Sequence, residues 1–341
     1  MQPSLPASGR KWSFSKTRAS ELALIAFLGS LLVIVALGGG GQVKPVSAVI
    51  SPVQGFTIIS KQTCIAPWGR YVGTSCAVSP GVLVQFQGGF ALKGGSLIVS
   101  RYSGVEVDGN DPHGALSEID AGARVIVKGG AFTINNAGTL VWNNGTIMIS
   151  KFSFLTIGGG AELTTAQNSH IAIQQYATAS ISGILNNSGD FYTYTYSFVG
   201  VLGGGTFKNQ VSGVIWMYGG TLQVQHGGTL INHGFMPATS LTTIYDMGAF
   251  AQTGIMHLTA SSLSVTDGGL ITIGAGAELD MHSSQLFIDA ASAVVGVAGN
   301  PGSKIDADGS WLITNQQGGC INGVVPAPGT HWGFTPAASQ C

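Results

Sequence analysis

GILNNSG at residues 183–189 and GTLINHG at residues 228–234 repeat a glycine, a leucine and an asparagine at the same spacing. The two copies start 45 residues apart, and a third copy, GTLVWNNG, starts another 45 residues upstream at Gly138. Intermediate and weaker copies complete a series in which the glycines stand at positions 95, 114, 138, 160, 183, 205, 228, 248 and 269. The sequence therefore repeats about every 22 residues.

A second echo supports this repeat. TIGGGAEL at residues 156–163 returns as TIGAGAEL at residues 272–279, an offset of 116 residues or about five periods. That offset predicts that Glu162 and Glu278 occupy equivalent positions of the repeat. We therefore interpret them as scaffold residues and not as a catalytic pair.

The repeat length and the local patterns favour strands. Three strands of about four residues and three tight turns fill about 22 residues, which is one coil of a parallel β-solenoid. The 52 glycines, and the lack of any 3.6-residue periodicity after residue 48, argue against helices in that part. The sequence predicts an all-β fold: a single-stranded, right-handed parallel β-helix of about ten coils.

The repeated residues have separate roles in such a coil. We expect the glycine where the backbone has a positive φ or approaches a neighbour closely, and the apolar residue two positions later in the core. The amide four positions after the glycine should stack from coil to coil, each side chain donating a hydrogen bond to the next. These amides are Asn187, Asn209, Asn232 and Gln252, joined by Asn143 after a one-residue insertion.

The pattern resembles the right-handed parallel β-helices of secreted adhesins and autotransporter passenger domains, and more distantly the pectate-lyase-like proteins. The resemblance covers residues 80 to 315 and implies an architecture, because unrelated functions share this fold. The expected organisation is a signal peptide or membrane anchor at 1–48, an N-terminal cap at 49–80, the β-helix at 81–315 and a C-terminal cap at 316–341.

The N-terminus predicts export. Four basic residues between positions 10 and 18 precede the apolar run LALIAFLGSLLVIVAL at residues 22–37, which forms either a signal-peptide core or a retained hydrophobic helix. The protein is then secreted or displayed at the cell surface, in contact with a membrane through this helix only. Residues 17–21 also resemble the start of a type IV pilin, although Lys16 replaces the usual small residue, and this leaves a pilin-like filament subunit as an alternative.

The cysteines fit an oxidising compartment. Cys64 and Cys76 lie near the start of the exported part, and Cys320 and Cys341 lie near its end, so we expect two local disulfides that shape caps. After Thr314 the periodic strands should stop, because the proline-bearing tail cannot continue a central strand.

Charge excludes one class of partner. After residue 48 the chain carries nine basic and fourteen acidic side chains, a net charge of −5. Nucleic acid is therefore not an expected partner. Glycans and other surface proteins remain as the partners to consider.

One acidic cluster is a candidate calcium site, the only cofactor that the sequence brings into question. VDGNDPHGALSEID at residues 107–120 contains hard oxygen donors, although it lacks the spacing of a calcium loop and also fits a solvated loop. The candidate ligands are Asp108, Asp111, Glu118 and Asp120.

FYTYTYSF at residues 191–198 is a candidate glycan-binding segment. Strand alternation places Tyr192, Tyr194 and Tyr196 on one face, where they could stack on sugar rings; packing into the core is the competing interpretation.

No recognisable catalytic constellation accompanies these features. The chain has no Asp-Asp pair, no Gly-His-Gly and no closely spaced arginine pair after residue 48, so a pectate-lyase mechanism has no evident base or carboxylate clamp. We therefore expect a structural or adhesive protein of the cell surface, with a glycan-binding or polysaccharide-degrading β-helix as the alternative.

Overall fold

The structure is a computed structural model, which describes residues 49–109, 115–289 and 292–296, and the backbone of five further C-terminal strands. All of these residues belong to one compact unit, residues 47–341. Within the described part, every regular element is a β-strand. The expected N-terminal helix and its cleavage site lie outside the described residues.

The strands form three sheets, which the chain visits in turn. Sheet 1 has 13 strands: β1 (Val49–Val53), β5 (Val82–Phe86), β8 (Gly104–Asp108), β11 (Ala131–Asn135), β14 (Phe154–Ile157), β17 (Thr178–Ile181), β20 (Phe198–Val201), β23 (Thr221–Val224), β26 (Thr243–Asp246), β29 (Ser262–Val265), β32 (Gln285–Ile288), β35 (Trp311–Thr314) and β38 (His331–Trp332). Sheet 2 has 12 strands: β2 (Thr57–Ile58), β6 (Phe90–Leu92), β9 (Ala115–Ile119), β12 (Thr139–Asn143), β15 (Glu162–Thr165), β18 (Ile184–Asn187), β21 (Thr206–Asn209), β24 (Thr229–Asn232), β27 (Ala249–Gln252), β30 (Leu270–Ile273), β33 (Ala293–Gly296) and β36 (Cys320–Asn322). Sheet 3 has 13 strands: β3 (Gly69–Val72), β4 (Ser75–Val78), β7 (Ser96–Val99), β10 (Arg124–Lys128), β13 (Thr146–Ser150), β16 (His170–Ile173), β19 (Asp190–Tyr194), β22 (Val214–Tyr218), β25 (Phe235–Thr239), β28 (Ile255–Thr259), β31 (Glu278–His282), β34 (Lys304–Asp308) and β37 (Val325–Pro326).

The strand pairing confirms the parallel β-solenoid. In sheet 2, residues paired in register from Leu140 to Leu270 are 22, 22, 22, 23, 20 and 21 residues apart on successive strands. The repeat read from the sequence is therefore the coil itself. The pair β3 and β4 is antiparallel. The right-handed sense of the coil stays a prediction.

Both expected cap segments contribute strands. Pairing begins at Val49, since β1 is the parallel partner of β5. The expectation that periodic strands stop after Thr314 was wrong: β36, β37 and β38 each pair with the preceding strand of their sheet. Pro326 lies in β37, the last strand of its sheet, and such edge strands are where proline is found in β-sheets.

The core forms from alternate residues of each strand. The predicted inward positions Leu185, Phe207, Leu230 and Phe250 are fully buried. At the copy that starts at Gly138 the register moves by one residue, so that Val141 is buried in place of Leu140. Each coil packs its apolar residues on those of the next coil, which gives a core although no single repeat could form one.

The buried amides form the ladder that the repeat predicts. Asn187 Nδ2 donates to Asn209 Oδ1 at 2.8 Å, Asn209 Nδ2 donates to Asn232 Oδ1 at 2.8 Å, and Asn232 Nδ2 donates to Gln252 Oε1 at 2.9 Å. Asn143 stands in the same register column, but Thr165 separates it from Asn187, and its amide donates to the His170 carbonyl instead.

Close approach explains the repeated glycine. A Cβ added to Gly205 would lie 2.0 Å from the Ile181 carbonyl oxygen, and one added to Gly183 would lie 2.3 Å from that of Ala161. Neither distance is compatible with a side chain, so the backbone of these two coils requires glycine at both positions.

Two sequence alignments of the repeat were wrong in register. Gly95 precedes β7 of sheet 3, whereas the other repeat glycines precede strands of sheet 2. Glu162 begins β15 of sheet 2, but Glu278 begins β31 of sheet 3, so the two residues are not equivalent. The first TIG-x-GAEL copy joins a strand of sheet 1 to one of sheet 2, and the second joins a strand of sheet 2 to one of sheet 3. The same segment can form both corners because the strands on either side have the same alternation of inward and outward residues.

A disulfide joins Cys64 and Cys76, whose sulfurs are 2.05 Å apart, as expected for the first pair. The side chain of Cys320 and all of Cys341 lie outside the described residues, so their pairing stays a prediction. The described region contains no helix with the length and apolar character required to span a bilayer.

Candidate functional site

An aromatic surface covers the outer side of sheet 3. Tyr192 and Tyr194 point outward from β19, because Phe191 and Thr193 between and beside them are buried. The register of the next strand places Trp216 beside Tyr192 and Tyr218 beside Tyr194. We call the four outward residues the aromatic face.

The rings of the aromatic face share an orientation. The Trp216 ring lies 8° from the plane of Tyr192 and 6° from that of Tyr218, at centroid distances of 6.4 and 5.9 Å. Tyr192 and Tyr218 lie 13° apart at 6.5 Å. Three rings from two coils, on the outer side of sheet 3, therefore have nearly parallel planes.

Asp190 lies at one edge of the aromatic face and accepts two hydrogen bonds from it. Tyr192 Oη donates to Oδ2 at 3.2 Å, and Trp216 Nε1 donates to Oδ1 at 3.3 Å. His170 Nδ1 lies 3.2 Å from Asp190 Oδ2. These contacts hold the two large rings in place and leave a carboxylate beside them.

Burial and a neighbouring charge change the pKa values of the tyrosine hydroxyls. Burial, and secondarily the Asp190 carboxylate, raises the pKa of Tyr192 to about 12. Burial also raises the pKa of Tyr194. Both phenols are therefore protonated at neutral pH and remain hydrogen-bond donors.

The aromatic surface continues onto the following coils. Phe235 packs edge-on against Trp216 at 6.1 Å, and His257 packs edge-on against Phe235 at 5.1 Å. His257 Nε2 in turn lies 3.9 Å from Asp280 Oδ2 on the next strand of the sheet. Polar and charged groups thus border the rings at both ends.

Tyr196 does not belong to the aromatic face, so the prediction that it shares a face with Tyr192 and Tyr194 was wrong. It lies in the turn between sheets 3 and 1 with φ of 63°, and this left-handed conformation interrupts the strand alternation. Its ring stacks instead on Tyr176, at 4.9 Å and 5°, and Tyr176 stacks on Phe152, at 5.1 Å and 9°. We call these three residues the corner stack.

The acidic cluster proposed for calcium is divided between two sheets. Asp108, on sheet 1, is 2% exposed and accepts hydrogen bonds from Gln85 Nε2 at 2.8 Å and from Asn136 Nδ2. Glu118 and Asp120 both form ion pairs with Lys93, at 2.9 and 3.3 Å. Asp111 lies outside the described residues.

Across the described ranges, no group of three or more His, Cys, Asp and Glu side chains is placed to hold a metal ion. The described carboxylates of the cluster have other partners: Lys93 for Glu118 and Asp120, and two side-chain amides for Asp108.

Sequence reasoning missed Trp216, Tyr218, Phe152 and Tyr176. The signal was present in the period: Trp216 and Tyr218 each follow their tyrosine partners by 24 residues, as the register of β19 and β22 shows. The repeat glycines do not reveal this pairing, because most of them precede strands of sheet 2.

No protein-family model matches the chain, and no curated protein is a significant match. One matching solved structure is the crystal structure of a hyper-glycosylated TibA fragment, whose glycosylation TibC catalyses. That match covers 83% of this chain and 100% of that chain, with 14% identity and a TM-score of 0.29. At this TM-score it carries no argument about fold or function, and the fold rests on the strand pairing described above.

Proposed function

We propose that this protein is an exported, adhesin-like β-solenoid of the cell surface, and that the aromatic face of sheet 3 binds glycans. The observation that carries the proposal is the near-parallel orientation of the Tyr192, Trp216 and Tyr218 rings on an outer sheet surface. The export expectation rests on the apolar run at residues 22–37, outside the described residues.

The rings have no evident role in holding the solenoid together. The core lies on the opposite side of β19 and β22, where Phe191, Ile215 and Met217 are buried. Tyrosine and tryptophan present a large apolar ring together with a polar tip, and such residues are enriched where proteins bind other molecules. Outward aromatic rings on adjacent coils are therefore better explained by binding than by folding.

Glycans fit this surface chemically. The apolar side of a sugar ring packs on an aromatic ring, and its hydroxyls need hydrogen-bond partners at the edge of the contact. Asp190 supplies carboxylate oxygens at one edge, and the Tyr194 hydroxyl supplies a donor. Consecutive coils are about 4.8 Å apart along the sheet, and two of them carry rings of the aromatic face. An extended glycan chain can therefore contact several rings.

A glycan array with the full-length protein tests the proposal. Trp216→Ala should lower binding to the preferred glycans at least about tenfold, which corresponds to about 1.4 kcal/mol of lost binding energy. Trp142→Ala is the matched control, because Trp142 is an outward, 41% exposed tryptophan of sheet 2. Absence of glycan binding by the unmodified protein, or an equal loss in both variants, would contradict the proposal.

The pilin-like alternative depends on residues 17–21, which lie outside the described residues. An enzymatic β-helix would need a carboxylate-lined groove. Neither has a supporting feature among the described side chains that compares with the aromatic face.

A further inference from the structure

The turns that lead from sheet 3 to sheet 1 follow a common plan. In several coils a buried hydroxyl on the sheet 1 side bonds back to the turn; for example, Ser197 Oγ donates to the Tyr194 carbonyl at 2.6 Å. The residue before this buried position has a left-handed backbone and projects outward; after Tyr176 the buried position is Ala177 and has no hydroxyl. These projecting residues, with φ between 59° and 63°, are Tyr102, Phe152, Tyr176, Tyr196 and Leu241.

Aromatic residues at these positions require an explanation. A left-handed conformation is unfavourable for a bulky side chain, and the Tyr102, Phe152 and Tyr196 side chains are about 70% exposed to solvent. Small polar residues would form the same turn at lower cost. Strain combined with exposed rings is typical of a surface retained for binding.

These projecting residues form a column along the corner, with at most one residue from each coil, and the coil between Tyr102 and Phe152 contributes no side chain to it. The turn between Tyr102 and Phe152 consists of Gly129 and Gly130, and its backbone lies between the flanking turns: Tyr102 N donates to the Gly129 carbonyl, and Gly129 N donates to Ser153 Oγ. Tyr102 and Phe152 are thus two coils apart, roughly 9.6 Å at the usual strand spacing. We call the space beside Gly129 between them the ring slot. The Arg101 side chain lies along one side of it, because a Cβ added to Gly129 would be 3.3 Å from Arg101 Cβ and Cγ.

The ring slot is part of a cleft of about 870 Å³ that has a basic rim and extends along the corner to Gln175 and Tyr176. Arg101, Lys128 and Lys151 line it, and no acidic residue does. These are three of the nine basic residues after residue 48, in a part of the chain that carries fourteen acidic residues. Among the described residues, none of the three forms a salt bridge. The Arg101 guanidinium lies 4.8 Å from the centre of the Tyr102 ring.

A second glycine gap in the same column lacks this charge. Gly219 and Gly220 form the turn between Tyr196 and Leu241. The positions that correspond to Arg101, Lys128 and Lys151 are Thr195, Tyr218 and Ser240 there, and all three are uncharged. The basic rim is therefore specific to the ring slot and not a property of the corner.

We propose that the ring slot binds one acidic sugar unit, a pyranose that bears a carboxylate or a sulfate, between the Tyr102 and Phe152 rings. The gap of two coils is wider than the roughly 7 Å that a flat aromatic ring needs between two others, and a puckered pyranose fills it better. The three cations bind the acid group, and Arg101 is held by its contact with Tyr102. The ring slot shares no residue with the aromatic face, so either site can exist without the other.

Calorimetric titration of the full-length protein with three oligosaccharides tests this inference: dextran sulfate for sulfate, hyaluronan for carboxylate, and neutral dextran. At least one acidic sugar should bind at least about tenfold more tightly than neutral dextran. Phe152→Ala, and separately the double change Lys128→Gln and Lys151→Gln, should each weaken that binding at least about tenfold. Gly129→Tyr, which adds a ring at this turn and crowds the Arg101 side chain, should abolish it.

Matched controls separate binding from folding. Leu241→Ala removes an exposed side chain of the same column beside the uncharged gap, and it should leave the affinity unchanged. Trp142→Ala, on the outer side of sheet 2, should also leave it unchanged. The Phe152 and lysine variants should keep the glycan binding that Trp216→Ala removes, so failure of the proposal for the aromatic face can be told apart from failure here. If Gly129→Tyr does not fold, the Phe152 and lysine variants decide.

Three outcomes would overturn the assignment. They are absence of binding by the unmodified protein to both acidic sugars, full affinity in the Phe152 or lysine variants, and tighter binding of an aromatic anion such as adenosine monophosphate than of either acidic sugar.

Discussion

Asn209 illustrates how a single buried amide can link three coils. Its Nδ2 donates to Asn232 Oδ1 and to the Gly213 carbonyl, and its Oδ1 accepts from Asn187 Nδ2. Every polar atom of the side chain therefore has a partner although the residue is fully buried. Such a satisfied network stabilises the corner, whereas a gap in it leaves uncompensated polar groups on both neighbours.

Asn209→Leu should therefore destabilise the solenoid by roughly 2–5 kcal/mol, because it leaves one donor of Asn187 and one acceptor of Asn232 without partners. Urea denaturation followed by circular dichroism measures the effect. Lys208→Leu, at the outward neighbour on the same strand, is the control and should change stability little. Equal stability of the two variants would show that the ladder contributes nothing.

Asp246 makes stability depend on pH. The residue is fully buried, and burial raises the pKa of its carboxyl from 3.8 to about 7, although the Gly248 N–H that donates to Oδ1 acts in the opposite direction. Among the described residues, Oδ2 has no hydrogen-bond partner. Because the folded state holds the proton more tightly, stability should be highest near pH 4, fall as pH rises to about 7, and level off above.

Thermal unfolding of the unmodified protein and of Asp246→Asn at several pH values tests this expectation. The variant should lose most of the decline between pH 4 and 7 and should be more stable than the unmodified protein at pH 8. Parallel pH profiles for the two proteins would mean that other groups cause the dependence.

At the scale of the element, strand alternation determines which side of the coil a residue occupies. Leu230 points into the core and is fully buried, and Gln223, on the preceding strand of the chain, lies between the buried Leu222 and Val224. The sequence predicted both orientations. What it could not predict was the conformation of the corners, where a left-handed residue such as Tyr196 resets the alternation.

Leu230→Asp should cost more than about 3 kcal/mol, because it places an unpaired carboxylate in the core. Gln223→Asp introduces the same charge on the outer surface and should be nearly silent. Differential scanning calorimetry compares the two variants, and a similar melting temperature for both would mean that the register of the coil is wrong.

The sequence predicted those features that recur from coil to coil, and it predicted less of the features that occur in only one or two coils. The period, the inward apolar residues and the amide ladder follow from one spacing. The aromatic face was half predicted: Tyr192 and Tyr194 are on it, whereas Trp216 and Tyr218 needed the register of sheet 3. The ring slot could not be foreseen, because it depends on which turns stack above and below Gly129.

At the scale of the whole molecule, the three sheets have different surfaces. Sheet 2 supplies the amide ladder, sheet 3 carries the aromatic face, and the corner between sheets 3 and 1 carries the corner stack and the ring slot. A solenoid repeats its backbone from coil to coil, so side chains can change on one surface while the core is kept. This division allows binding sites to be placed along a common scaffold.

The crystal structure of the full-length protein with a bound oligosaccharide, chosen from the glycan array, tests the central claim most directly. The account predicts a sugar ring packed on Trp216, parallel to the Tyr192 and Tyr218 rings, with its hydroxyls directed at Asp190. An oligosaccharide bound on sheet 1 or sheet 2, with the aromatic face left empty, would contradict it.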